Sequence, residues 1–199
     1  PIKNPNHAFD TVISALEMQH SKDILNKEFE KNNWPKIDFG IGLHTGSVIL
    51  GNIGSVQHLD YTIIGDNVNL CSRIEGLTKY YGCCILMSGY TYQEVKEQIL
   101  CRPIDIVQVK GKSNGIMVYE PLCLFQEKNK TFTDIFDLTT TAFQYYQNQE
   151  WDLAISTYKA LKLIDSNKTL SKVLIDRCKY YKTHPPGKSW TGIYKFKKK

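Results

Sequence analysis

No stretch of this chain approaches the roughly 20 consecutive apolar residues that a membrane-crossing helix requires. None of its 199 residues therefore reads as part of a helical span. The six cysteines, at positions 71, 83, 84, 101, 123 and 178, form no C-x-x-C pair and have no histidine at zinc spacing. That excludes the common zinc modules, and reduced thiols in a cytosolic setting account for them most simply. Cys83 and Cys84 are neighbours in a strand-like stretch, so they face opposite sides and are poor partners for one another. The net charge of +5 lies largely in Lys195, Lys197, Lys198 and Lys199, with no basic motif interleaved by aromatics. This reads as a solvated terminus, and no nucleic-acid partner is expected. The start, Pro1-Ile2-Lys3-Asn4, lacks an initiator methionine and a signal-peptide pattern, and it reads as the middle of a longer protein.

What is present is ordinary for a globular fold. Hydrophobic residues make up 42% and charged residues 23%, enough for one sizeable core and one to two domains. Asn4-Pro5 offers an N-cap and a first-turn proline. The residues Phe9, Val12, Ile13, Leu16, Ile24, Leu25 and Phe29 then predict an amphipathic helix ended by Trp34-Pro35. The alternation from Ile37 to Leu43, a Thr45-Gly46-Ser47 turn and Val48 to Ile53 predict a hairpin. It is crowded by Gly40, Gly42, Gly46, Gly51 and Gly54, where another chain or a ligand would approach the backbone closely. A strand at Tyr61–Asp66, a helix from Asn67 to Tyr80, a strand Cys83–Met87 and a short helix Tyr92–Ile99 follow. Strands Ile104–Val109 and Ile116–Leu124 are joined by the turn Lys110 to Gly115. Strands alternating with helices predict an α/β domain, an α+β sandwich.

Past Glu127-Lys128-Asn129-Lys130 the pattern turns helical. Phe143, Tyr146, Trp151, Ala154, Tyr158 and Leu161 are spaced as a helix pair around the turn Asn148-Gln149-Glu150, with a further helix near 169–181. This stretch resembles a single tetratricopeptide-type unit. One such unit cannot bury its apolar face alone, so it is expected to dock on the sheet domain or on a second copy. The reading divides the chain into 1–126, a linker 127–131, a helical tail 132–183 and a basic extension 184–199.

Asn69 and Arg73 are one turn apart and share a helix face, flanked by an apolar stripe of Leu70, Ile74 and Leu77. A polar pair beside a buried stripe, just after a Gly65-Asp66 turn, is well placed to reach into a cleft. The run Gly40-Ile41-Gly42-Leu43-His44-Thr45-Gly46-Ser47-Val48-Ile49-Leu50-Gly51-Asn52-Ile53-Gly54-Ser55 is followed by Tyr61-Thr62-Ile63-Ile64-Gly65-Asp66-Asn67-Val68-Asn69-Leu70-Cys71-Ser72-Arg73-Ile74-Glu75. Together they resemble the class III adenylate/guanylate cyclases over about residues 1–124, with Lys110-Gly111-Lys112 where that family has a Lys-Gly turn.

The resemblance implies that the intact protein makes 3′,5′-cyclic AMP and pyrophosphate from ATP for intracellular signalling. Arg73 would then stabilise charge on the α-phosphoryl oxygens and Asn69 would hold the ribose. Lys110, or Lys112 in its place, would neutralise the terminal phosphates. Thr62 would read the purine, since a hydroxyl both donates and accepts and suits the adenine amino group. Guanylate cyclase, or a non-catalytic cyclase-like regulatory module, are the alternatives. The family uses two divalent ions, Mg or Mn, held by two aspartates. Both are expected upstream of this chain, so Asp38, Asp60 and Asp66 are not assigned as ligands, and His44 and His58 receive no catalytic role. The chain alone is expected to be inactive and poorly behaved. The parent is expected to be a homodimer with its catalytic portion in the cytoplasm and upstream segments anchoring it, the helical tail offering protein contacts.

Overall fold

The computed structural model describes residues 3–55, 58–108 and 115–196. Helix α1 (His7–Lys31) opens the chain, followed by strands β1 (Ile41–Leu43), β2 (Ile49–Ser55) and β3 (His58–Ile64) and helix α2 (Asp66–Tyr81). Strand β4 (Ile85–Ser88), helix α3 (Gly89–Val95), β5 (Ile99–Gln108) and β6 (Gly115–Leu124) complete the first part. A 3-10 turn at Phe125–Glu127 leads to helices α4 (Lys130–Gln147), α5 (Trp151–Ile164) and α6 (Lys168–Thr183), and a short strand β7 (Ile193–Tyr194).

Five strands form one mixed sheet in the order β1-β4-β6-β5-β7. Strand β1 runs parallel to β4, β6 runs antiparallel to both β4 and β5, and β7 runs parallel to β5. Alternation along β4 explains how both faces are filled. Ile85 and Met87 point into a core with Ala8, Val12 and Ala15 of α1 and Val95 of α3. Leu86 points the other way, into a core with Leu70, Ile74 and Tyr81 of α2 and residues of all three tail helices, including Tyr146, Tyr158 and Leu174. The result is a helix–sheet–helix sandwich of mixed α/β class. Strand β5 carries Pro103, and its pairing with β6 slips between Pro103 and Asp105, which accommodates a residue that has no N–H to donate.

Several sequence expectations are corrected. Asn4 does not cap α1: the helix begins at His7, and the Asn4 Oδ1 accepts from the Asn6 N–H at 2.9 Å. The buried face of α1 is Ala8, Val12, Ala15, Gln19 and Lys22, while Ile24 and Leu25 are exposed. The strand expected from Ile37 is only Ile41–Leu43, and it does not pair with β2. Its partner is β4, reached after about forty residues, and β2 pairs instead with β3 as a separate two-stranded ribbon. The helix expected over Tyr92–Ile99 ends at Val95, and Ile99 begins β5. The extension 184–199 is not merely a solvated terminus, because β7 within it pairs with the edge strand β5. The tail helices pack on the sheet of the same chain. Their junction is polar as well as apolar: Arg102 of β5 reaches Glu120 and, at 2.6 Å, Asp165 after α5, and Arg177 of α6 pairs with the buried Asp105.

Candidate active site

Helix α2 lies almost directly on strand β1, and two glycines make that approach feasible. A Cβ on Gly42 would come within 2.4 Å of the Glu75 backbone nitrogen, and one on Gly40 within 1.9 Å of the Thr78 hydroxyl. The close approach expected at these glycines is therefore made by the chain's own helix. The Cys71 thiol donates to the Gly42 carbonyl at 3.1 Å, and burial pushes that thiol up from its ordinary pKa. Leu70, Ile74, Thr78 and Tyr81 form the buried stripe of α2. Asn69 and Arg73 fall beside it, one turn apart on the exposed side.

The β3–α2 connection runs through Gly65, whose φ of 144° lies where side chains are rarely tolerated. Strand β3 brings Thr62, exposed and opposite Gly51 of β2, to within a few residues of that turn. Lys110 and Lys112 lie outside the described residues. Thr62, Asn69 and Arg73 thus belong to one continuous strand–turn–helix unit.

A polar clamp that sequence reasoning passed over fixes the start of α2. His44, at the end of β1, contacts Ser88 Oγ through Nδ1 at 2.8 Å and Asn67 Oδ1 through Nε2 at 3.1 Å. The amide oxygen can only accept, so Nε2 carries the proton. Asn67 also donates from Nδ2 to the Ser47 carbonyl at 2.8 Å. A histidine and an asparagine twenty-three residues apart give no local spacing signal, and only the β1–α2 contact brings them together.

The sequence model described as the adenylate and guanylate cyclase catalytic domain matches residues 2–121. The chain belongs to this family. It is 43% identical over 114 residues to the adenylate cyclase of Anabaena cylindrica, covering 54% of this chain and 23% of that protein. It is 30% identical over 131 residues to adenylate cyclase 1 of Rhizobium meliloti (strain 1021), covering 66% of this chain and 20% of the relative. The chain thus spans between a fifth and a quarter of the length of these two relatives. Among solved structures, the adenylyl cyclase CyaB from P. aeruginosa superposes with a TM-score of 0.55 at 28% identity, covering 64% of this chain and 63% of that one.

Class III cyclases use divalent metal ions. Among the described residues no group of three or more His, Cys, Asp or Glu side chains is placed to hold one. Asp38 is engaged by Lys22 at 3.3 Å, and Asp60 lies out on the β2–β3 ribbon. No catalytic step is assigned to a metal on this chain. No described helix is long and apolar enough to cross a membrane.

Proposed function

We propose that this chain supplies the nucleotide-gripping part of an adenylate cyclase, which in the intact protein converts ATP to 3′,5′-cyclic AMP and pyrophosphate. The single observation that carries the reading is the placement of Asn69 and Arg73, one turn apart on the open side of a helix whose other side is pinned to β1. In the reaction the ribose 3′-oxygen bonds to the α-phosphorus while the bond from that phosphorus to the pyrophosphate leaving group breaks. Negative charge gathers on the α-phosphoryl oxygens. Arg73 is assigned to that charge, since a guanidinium stays protonated and can donate to two oxygens at once. Asn69 is assigned to the ribose, Thr62 to the adenine edge and Lys110 to the terminal phosphates.

The two-part sites of this family suit a homodimer, in which one copy's α2 faces the partner's metal-holding part. The β2–β3 ribbon supports that arrangement: every residue of β3 is exposed, and Leu50, Leu59, Tyr61 and Ile63, which the register places on one face, leave an apolar surface uncovered. On this reading residues 1–126 are the cyclase portion, 127–131 the linker, whose last two residues already begin α4, 132–183 the helical tail and 184–199 the extension, with the catalytic part facing the cytoplasm, where ATP is available.

The test is turnover of ATP and of GTP by the intact protein, wild type against Arg73→Ala. Cyclic AMP that falls about 10²–10³-fold in the variant is expected, the usual scale for removing one transition-state donor. Cyclic GMP as the main product would reassign the substrate. No product from either nucleotide, in a folded dimer supplied with Mn²⁺, would make the domain a regulatory module instead.

A further inference from the structure

A helix that carries catalytic groups must be fixed at both ends, because its side chains move with it. The start of α2 is held by the His44–Asn67 clamp within the sheet domain. Its far end is held by the tail. The last carbonyls of a helix have no partner within it, and the Tyr81 carbonyl accepts from Nδ2 of Asn167 at 3.1 Å. The same Asn167 caps α6, its Oδ1 accepting from the Leu170 N–H at 3.1 Å. One amide therefore ties the end of α2 to the start of α6 across 86 residues of chain.

Two more tail elements grip the same turn. Arg177 of α6 reaches the Tyr81 hydroxyl through Nη2 at 3.4 Å, and that hydroxyl donates to the buried Asp105. Tyr80 packs its ring against Tyr194 of β7 and edge-on against Phe196, with centroids 6.5 and 5.0 Å apart. Gly82, which ends α2 at a φ of 69°, leaves no room for a Cβ: Asn167 Oδ1 and the Thr169 Cβ would each lie 2.7 Å away. Arg73 precedes Tyr81 by eight residues, about 12 Å of helix axis. A helix that short moves as one body, so displacement at Tyr81 reaches Arg73.

We infer that the helical tail is the positioning device for α2, with Asn167 as its key positioning residue, so that the set of the tail determines where Asn69 and Arg73 stand. The inference rests on the cyclase reading for its effect on turnover, but not for the anchoring itself. A shift of about 1 Å at a reacting centre can cost on the order of 100-fold in rate. Anything that rotates α6 or peels β7 from β5 would therefore control the enzyme without touching its substrate.

The deciding variant is Asn167→Asp, which keeps the oxygen that caps α6 and loses the N–H that reaches Tyr81. Asn167→Ser, which also caps, is the second variant in case the added charge perturbs folding. In the intact protein, amide exchange over residues 78–83 is expected to rise about tenfold or more while residues 170–178 stay protected. With ATP, kcat is expected to fall about 10–100-fold with KM changed less than about threefold. Unchanged exchange at 78–83 in both variants would overturn the proposal, as would faster exchange with kcat within about twofold of wild type. A wild-type protein that makes no cyclic nucleotide would sink the cyclase reading alone, since the exchange measurement still decides whether the tail anchors α2.

Discussion

Arg177 on α6 and Asp105 on β5 form a buried ion pair across 72 residues of chain, at the seam between the tail and the sheet. The carboxylate is fully used: the Tyr81 hydroxyl donates to one oxygen and the Ile106 N–H to the other, at 2.8 Å. Burial works against the Arg177 charge, but Asp105, Tyr81 and Tyr146 together raise its pKa well above the ordinary value. The guanidinium also lies 3.5 Å from the centre of the Tyr194 ring, which ties β7 into the same cluster.

Removing one partner of such a pair leaves the other charge stranded without water. Asp105→Leu or Arg177→Met alone is expected to cost about 3–5 kcal/mol in urea unfolding, whereas the double replacement recovers most of that loss. The interaction energy from the double-mutant cycle is the measurement. Single variants that each lose under about 1 kcal/mol would show that water reaches the pair.

One glycine beneath α2 and one within it give two substitutions of opposite sign. Gly42→Ala places a methyl group 2.4 Å from the Glu75 backbone nitrogen, where a helix rather than a flexible side chain would have to yield. It is expected to lose about 1–3 kcal/mol by overpacking. Gly76 lies within α2 with nothing within 4 Å of an added Cβ. Gly76→Ala is expected to gain up to about 1 kcal/mol from helix propensity and a less free unfolded chain. Equal effects at the two sites would mean that α2 does not rest on β1 as described.

Much of this arrangement is legible in the order of the amino acids, and what is not legible has physical causes. The stripe of Leu70 and Ile74 and the polar pair Asn69/Arg73 are local at helical spacing, so periodicity alone places them on one helix. The hairpin expected between residues 37 and 53 failed because strand pairing is not local: β1 finds β4 some forty residues on, and alternation carries no information about the partner. On α1, Ile24 and Leu25 suggested a buried face, yet Gln19 and Lys22 hold it. Gln19 reaches the Phe39 carbonyl at 3.1 Å and Lys22 reaches Asp38, contacts that a hydropathy pattern cannot register. Nor does the basic composition of the C-terminus announce a strand. β7 exists because the edge of β5 offers unpaired backbone groups and Arg177 offers Tyr194 a cation to cover.

Alkaline pH should loosen the fold earlier than the surface charge alone would. Burial pushes the Cys101 thiol up to about 12, with Cys123 adding to the shift. Burial also pushes the Cys178 thiol up to about 12, against the pull of Arg177. In the unfolded chain a thiol ionises near pH 8.5. Between about pH 9 and 12 the folded state therefore holds protons that the unfolded state has released. The stabilisation from these groups is complete below that window and is lost as pH rises through it, by at most about 1.4 kcal/mol per pH unit for each thiol. The variant Cys101→Ala/Cys178→Ala is expected to be less stable than wild type at pH 7, because two buried side chains shrink. Its deficit in urea unfolding should narrow steadily from about pH 9 to 11, since it lacks the two groups that penalise high pH. A gap that stays constant over that range would mean the thiols ionise as easily folded as unfolded, and that the cores around Ile99 and Leu174 admit water.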